Sequence, residues 1–164
     1  MIISAIVARS KNNVIGIDKK LPWRLPGDMK FFREKTMGRH VIMGRKSFES
    51  LPGPLNGRTI ITITGNREYY DSSCVVKHTV ESALLFAKKE REIEVFILGG
   101  GEIYAATQGL WDKLYVTDVD AVLNGDTSFV ELRIQNWQLE SEEHHLADEK
   151  NRYNYTFRIY NRIK

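Results

Sequence analysis

The run Ile2-Ile3-Ser4-Ala5-Ile6-Val7-Ala8 is apolar almost throughout yet only as long as one strand, and this constrains the chain more than any other feature. A strand apolar on both faces must be covered on both faces, as the inner strands of parallel α/β sheets are. Similar runs recur at 40–43, 59–64, 74–76, 94–98 and 114–119, with helical signals between most of them. A helix beginning at Gly27-Asp28 would turn Met29, Phe32 and Met37 inward and stop at Gly38. A second runs from Gly44 through Phe48 to Leu51, where Pro52-Gly53-Pro54 breaks it. A third is amphipathic over 79–90, and a fourth holds Ile103, Tyr104 and Ala105. After residue 119 the helical signals stop, and 137–140 and 153–163 alternate as two strands of a terminal hairpin. The pattern predicts a mainly parallel α/β sheet with an antiparallel edge added by the tail. With 164 residues and no linker, repeat or low-complexity tract, the reading is one domain over 1–164.

Composition serves mainly to exclude. No window approaches 18 consecutive apolar residues, so a transmembrane helix is ruled out. Only Met1 precedes the first run, with no basic region, so no signal peptide is expected. The single cysteine, Cys74, allows no internal disulfide and suits a reducing, cytoplasmic compartment; it is expected to pack within a strand rather than react. A net charge of +3 is compatible with small anionic ligands. The basic residues are scattered, however, and the densest group (Lys88, Lys89, Arg91) is interleaved with Glu90 and Glu92, the pattern of a solvated helix face. No nucleic-acid or membrane partner is expected, and nothing demands more than a monomer. The chain has no Gly-x-x-x-x-Gly-Lys-Ser/Thr loop and no Gly-x-Gly-x-x-Gly after its first strand. The pair His144-His145 lacks a second ligand pair at zinc spacing; it reads as an exposed turn or strand edge, and no metal is expected.

Three features remain. The loop from Val14 to Asp28 spends Leu21, Pro22, Trp23 and Leu25 on an irregular segment, a reason to expect it to close over something apolar. Asp28 follows at a helix start with Phe32 one turn along the same face. It could merely cap the helix, or it could face an apolar pocket and accept paired N–H donors from a planar heterocycle. Second, Gly99-Gly100-Gly101-Glu102 ends a buried strand and opens a helix, where ligands of open α/β sheets bind; a plain tight turn is the other reading. Third, Gly44-Arg45-Lys46-Ser47 repeats that placement with two cations and a hydroxyl. Two separated phosphate sites suggest a dinucleotide.

In order along the chain, Val14-Ile15-Gly16, Leu21-Pro22-Trp23, Asp28, Phe32, Thr36, Ile42-Met43-Gly44-Arg45 and Ser47-Phe48-Glu49-Ser50 stand at one family's spacings. So do Pro54-Leu55, Gly57-Arg58, Gly99-Gly100-Gly101, Tyr104, Thr117 and Gly125-Asp126-Thr127. The set resembles the dihydrofolate reductases of the bacterial chromosomal type over nearly the whole chain. The resemblance implies an eight-stranded mixed, mainly parallel sheet with four flanking helices and an antiparallel C-terminal hairpin. It also implies reduction of 7,8-dihydrofolate to tetrahydrofolate with NADPH, by hydride transfer to pterin C6 and protonation at N5. Asp28 would bind the pterin 2-amino group and N3, supported by Thr117 through a bound water. Ile6, Val7, Met29, Phe32, Ser50, Leu55 and Leu98 would line the substrate pocket, and Arg58 would pair with the glutamate α-carboxylate, with Arg33 nearby. Ala8, Ile15, Gly16 and Tyr104 would surround the nicotinamide. Gly44, Arg45, Lys46, Ser47, Thr64, Lys77, Gly99, Gly100, Gly101, Glu102, Ile103 and Thr127 would hold the rest of the cofactor. The resemblance also implies a cis peptide at Gly99-Gly100. It makes the loop at Trp23 and Leu25 a mobile lid admitting the proton-donating water, held when closed by Asp126 on the backbone of 16–18.

One departure stands out. Where the family often carries a basic residue for the cofactor's 2′-phosphate, this chain has Gly65-Asn66, with Arg67 later. Thr64, Arg45 and Lys77 are the candidates left for that contact. A same-fold pyrimidine reductase would lack the combination of Asp28 and Arg58, and a non-catalytic nucleotide-binding module would need neither Asp28 nor a lid at Trp23.

Overall fold

A computed structural model describes residues 1–17 and 20–164. In chain order the first elements are β1 (Ile2–Ser10), β2 (Val14–Gly16), α1 (Pro26–Thr36), β3 (His40–Gly44), α2 (Arg45–Glu49), β4 (Thr59–Ile63), β5 (Val75–Lys77) and α3 (Val80–Lys89). There follow β6 (Glu94–Gly99), α4 (Gly101–Thr107), β7 (Lys113–Val119), β8 (Thr127–Ser128), β9 (Trp137–His145) and β10 (Tyr155–Arg162). Eight strands form one sheet in the order β5-β4-β3-β6-β1-β7-β10-β9, while β2 and β8 pair as a separate ribbon. The sheet is parallel from β5 to β7 and antiparallel where β10 joins β7 and β9.

The continuous apolar run places β1 between β6 and β7, with Ser4, Ala5, Ile6 and Val7 all buried. Successive side chains go to opposite faces. Ala5 and Val7 join Ile42, Ile61, Val95 and Ile97 under α3. Ile6 joins Val41, Met43, Ile60 and Phe96 on the face that α1 covers with Phe31 and Phe32. Each aliphatic side chain taken fully out of water contributes about 1.5–3 kcal/mol, so this double-sided burial is a dominant stabilising term.

Local chemistry explains the helix ends. Thr79 Oγ1 accepts from the Ser82 backbone N–H (3.0 Å) and Ser82 Oγ from that of Thr79 (3.3 Å), a reciprocal cap that starts α3. Helix α1 has Leu25 at its N-cap with no side-chain cap, and a tail residue replaces it: Asn151 Oδ1 accepts from Gly27 N at 3.0 Å. A Cβ on Gly27 would lie 2.0 Å from the Tyr155 hydroxyl oxygen, so only glycine lets the tail approach this closely. The inward stripe of α1 is Asp28, Phe32 and Thr36, spaced four apart. Met29 and Met37 lie one residue on, about 100° round the helix axis, and are 54% and 47% exposed rather than inward.

The tail hairpin is longer than its apolar alternation suggests. β9 is an exposed edge strand whose second half, Ser141 to His145, carries no apolar residue, so periodicity could not extend it. His144 and His145 stand at its end, on the strand edge. Cys74 lies just before β5 rather than inside it. The β2–β8 ribbon falls where a plain loop is expected, being too short and mixed in character for a strand signal. The Gly99-Gly100 peptide is cis.

At the opposite edge of the sheet from the strand ends discussed below, Glu92 has a side chain only 4% exposed. Its carboxylate accepts from Arg39 Nη1, from both the backbone N and Nδ1 of His40, and from the backbone N–H groups of Ile93 and Glu94. Burial alone would push this carboxyl up, but the His40 and backbone bonds prevail and hold it at about 2. The charged form is therefore favoured by folding. Its contribution is full above the ordinary glutamate value near 4.5 and is lost as pH falls towards 2. Glu92→Gln should cost about 2–4 kcal/mol in chemical denaturation near neutral pH, and the gap to the parent protein should close in acid.

Candidate active site

The parallel strands β3, β6, β1 and β7 end on one edge, and the candidate residues gather there. Register sets Ala8 of β1 opposite Thr117 of β7 and Ile6 opposite Tyr115. Across the cleft, α1 turns Asp28 inward. It is not a helix cap: its backbone N–H already bonds Leu25 O at 3.0 Å, and its side chain accepts from Thr117 Oγ1 at 2.7 Å. That bond is direct, where a water-mediated link was expected. Burial raises the Asp28 carboxyl from the ordinary value near 3.8 to about 6, against the smaller opposing effect of the Thr117 hydroxyl. A carboxylate with only one hydroxyl donor keeps lone pairs for further N–H groups.

The pocket beside it is apolar. Ile6, Phe32, Leu55 and Leu98 belong to one cluster, with Phe48 and Leu51 of the next helix and loop completing it. Val7 does not join them; its side chain packs in the cluster on the other face of the sheet, because neighbouring strand residues alternate. Met29, expected as a lining residue, stands largely in solvent. Ser50 Oγ donates to Lys46 O at 2.7 Å.

At the far end of the pocket stands Arg58. Its guanidinium lies 5.9 Å from the Phe32 ring centre and donates to Thr36 Oγ1 at 3.3 Å. Arg58 Nε is buried without a hydrogen-bond partner among the described residues. Burial first, then repulsion from exposed Arg33, pushes its pKa down. Among the described residues it has no anionic partner. A cleft of about 470 Å³ opens here, lined by Leu51, Pro54, Leu55, Arg58 and Ile60 among others.

A second group meets where α2 and α4 begin. A Cβ on Gly100 would sit 3.0 Å from Ser47 Oγ, one on Gly44 3.3 Å from Ile103, and one on Gly101 3.2 Å from Thr127. Gly16 also faces Thr127, and its carbonyl accepts from Asp126 N at 3.0 Å. Asp18, the other residue expected in that contact, lies outside the described residues. The glycines thus let two helix starts and a ribbon approach closely, packed against Ser47, Ile103 and Thr127; helix starts of this kind attract phosphate. Tyr104 is buried beside them, its hydroxyl donating to Ile6 O (2.7 Å) with Leu98 O also in reach at 2.9 Å. Ile15 packs in the core beside it, and Lys46 and Glu102 are exposed.

The candidates for a 2′-phosphate are less convergent. Thr64 and Lys77 adjoin through a backbone bond of 3.0 Å, but the Lys77 ammonium lies over the Phe86 ring. Arg45 pairs with Glu49 at 3.1 Å and lies over Tyr69.

The loop residues behave differently from a uniformly mobile lid. Leu25 is 1% exposed and, with Trp23, packs against Val119, Tyr155 and Phe157. These two are anchor points, and the exposed apolar residues described in the loop are Ile17 and Leu21. Trp23 Nε1 is buried with no partner among the described residues.

The dihydrofolate reductase family model matches residues 2–162. The chain belongs to the dihydrofolate reductase family. It is 43% identical to the dihydrofolate reductase of Haemophilus influenzae over 99% of both chains. It is 38% identical to that of Staphylococcus haemolyticus, over 99% of this chain and 96% of the relative. Among solved structures it superposes with a TM-score of 0.93 and 36% identity on dihydrofolate reductase from Enterococcus faecalis complexed with NADP(H) and RAB-propyl, covering 99% and 97% of the two chains.

Sequence reasoning did not single out two groups that build this reductase's site. Asn151 and Tyr155 fix the start of α1, and hence Asp28, from more than 120 positions away. Trp111 and Phe129 enclose the ring of Tyr104. An isolated Asn or Trp carries no local signal of such a partner; only the antiparallel return of the tail creates the first contact.

Keeping Asp28 charged in this setting is costly. Because folding favours its protonated form, stability falls as pH rises from 3.8 to about 6 and then stays low. Asp28→Asn should therefore stabilise the ligand-free protein by about 2–3 kcal/mol at pH 7 and above. In denaturant titrations that gain should shrink as pH falls below 6.

Proposed function

We propose that this reductase converts 7,8-dihydrofolate to 5,6,7,8-tetrahydrofolate with Asp28 as the group that holds and polarises the pterin. The observation carrying this reading is a buried carboxylate that accepts from Thr117 Oγ1 at 2.7 Å, one helical turn before Phe32 of the apolar cluster. A carboxylate so placed accepts two parallel N–H bonds, the pattern that the pterin 2-amino group and N3 offer. The Thr117 hydroxyl fixes the plane of the acceptor. Ile6, Phe32, Leu55 and Leu98 exclude water from the ring faces, and Arg58 takes the glutamate α-carboxylate with a planar fork that includes its unpartnered Nε.

NADPH supplies the hydride, and the residues around the cleft suit it. Gly44, Ser47, Gly100, Gly101 and Thr127, which meet where α2 and α4 begin, would hold its phosphates, and Ala8, Ile15, Gly16 and Tyr104 would wall the nicotinamide. Arg45, Thr64 and Lys77 are assigned to the 2′-phosphate, with Lys46, Glu102 and Ile103 flanking the helix starts. The protein's own contribution is alignment of two rings and exclusion of bulk water. Asp28 is too far round the pterin to reach N5; with a pKa raised to about 6 it passes its influence through the ring. The indole N–H of Trp23, buried without an acceptor among the described residues, orients the water that protonates N5. The reductase acts as a monomeric single domain in the cytoplasm, a reading supported by the absence of any long apolar helix among the described residues and by its single free cysteine.

Loss of the NADPH absorbance band on adding dihydrofolate tests the activity. Turnover should decline as pH rises through about 6, following the protonated fraction of Asp28. Asp28→Asn should lower it by roughly 10²–10⁴-fold and flatten that profile; a variant with the parent's pH profile would remove Asp28 from the reaction.

Arg58 is tested separately. Arg58→Leu should weaken dihydrofolate and methotrexate, which carry the glutamate tail, by about 2–5 kcal/mol. Trimethoprim, which has no such carboxylate, should bind almost unchanged in the same titrations.

A further inference from the structure

Three aromatic rings interlock behind the wall assigned to the nicotinamide. The ring of Tyr104 meets Trp111 edge-on at 6.0 Å and 89°, and meets Phe129 edge-on at 5.0 Å and 82°. Trp111 and Phe129 stack on each other at 5.8 Å with planes 7° apart. Edge-to-face and stacked pairs of this kind are directional as well as cohesive. Trp111 is fully buried, and its indole N–H donates to Thr107 Oγ1 at 3.0 Å, whose hydroxyl in turn donates to Ile103 O at 2.6 Å. Trp111 is thereby tied to the helix that carries Tyr104. Phe129 is tied elsewhere: its N–H donates to Asn13 O (2.9 Å) and its carbonyl accepts from Asn13 Nδ2 (2.7 Å). Asn13 immediately precedes β2, the stem of the loop that runs towards Trp23.

The position of Tyr104 is therefore set from two sides. Its hydroxyl is fixed by the Ile6 and Leu98 carbonyls. Its ring lies directly on Gly99, where a Cβ would fall 2.6 Å from Tyr104 Cε2. Which way that ring tilts over Gly99 depends on the two rings behind it.

We propose that Trp111 is a positioning residue for hydride transfer: by stacking on Phe129 and meeting Tyr104 edge-on, it fixes the ring of Tyr104 and so the surface on which the nicotinamide rests. This inference rests on the reading of Tyr104 as a nicotinamide wall. Trp111 touches neither substrate nor cofactor and acts only through Tyr104.

The test compares NADP⁺ with 2′,5′-ADP, which has the adenine and 2′-phosphate half but no nicotinamide. Trp111→Leu should weaken NADP⁺ about tenfold and leave 2′,5′-ADP within about twofold of the parent. In single turnover at saturating NADPH, the same variant should transfer hydride about tenfold more slowly, since small misplacements of reacting groups carry penalties of this size or more. Trp111→Phe keeps a stacking ring but lacks the N–H to Thr107; it should restore both measures to near the parent values. Phe129→Leu removes the stack from its other side and should reproduce the Trp111→Leu pattern, which keeps the test decisive if Trp111→Leu folds poorly. Equal losses for NADP⁺ and 2′,5′-ADP, unchanged values in either leucine variant, or no rescue by phenylalanine would each overturn the proposal. If the parent protein itself fails to bind NADP⁺ more tightly than 2′,5′-ADP, the reading of Tyr104 fails instead.

Discussion

Everything at the active edge depends on β1 being held in parallel between β6 and β7 with both faces covered. Parallel pairing brings the C-terminal ends of neighbouring strands to the same edge, and the chain must leave each by a loop or helix. Ile6 and Ala8 then face the same cleft as Thr117 and Leu98, while α2 and α4 both begin beside it. The alternation that buries Val7 beneath α3 is also what leaves Ile6 on the side of α1. One physical demand, removal of an unbroken apolar strand from water, thus fixes the floor of the pocket and the direction from which ligands enter.

The acid at this edge is placed against the preference of the fold. A lone aspartate with a single hydroxyl donor is a poor thing to bury, and its pKa near 6 expresses that. The structure holds it there from a distance. Asn151, itself fixed by Asp148, receives the Gly27 N–H, and Tyr155 presses against the glycine so closely that α1 can start in one place only. Glu92 is the contrast. It too is buried, but five donors surround it and its pKa lies near 2. The two carboxylates differ both in how deeply they are buried and in the number of hydrogen bonds supplied, and the less supplied one is the more deeply buried.

Much of this was legible in the sequence, for identifiable reasons. The sheet strands were visible because they are buried and therefore apolar; β9 was cut short in the reading because an exposed edge strand needs no apolar residue. The inward stripe of α1 was half legible: Phe32 belongs to it, but Met29 and Met37 are apolar residues on the wet face, and helical phase is fixed by Asp28 and Thr36, which hydropathy scores as polar. Among candidate site residues, motif spacing singled out Asp28, Thr117, Arg58 and Tyr104. It could not identify Asn151, Tyr155, Trp111 or Phe129, whose roles arise only from contacts between distant segments. The packing of the loop was not legible for the same reason. Leu25 looks like a residue spent on a loop, yet it meets Val119, Tyr155 and Phe157, residues that the sheet brings from far along the chain.

The two ends of the pocket are incomplete in opposite senses. At one end Asp28 is an anion with few donors among the described residues; at the other, Arg58 is a cation whose buried Nε has no acceptor among the described residues and which Arg33 repels. No hydrogen bond or ion pair joins the two among the described residues, so neither corrects the other. A ligand able to satisfy both must present paired N–H donors at one end, a carboxylate at the other, and flat apolar surface between them. That is the plan of a folate. The same reasoning explains why an otherwise well-packed sheet tolerates both defects. Each costs stability in the ligand-free protein, and under the proposed reading each is relieved when a molecule with that order of groups binds.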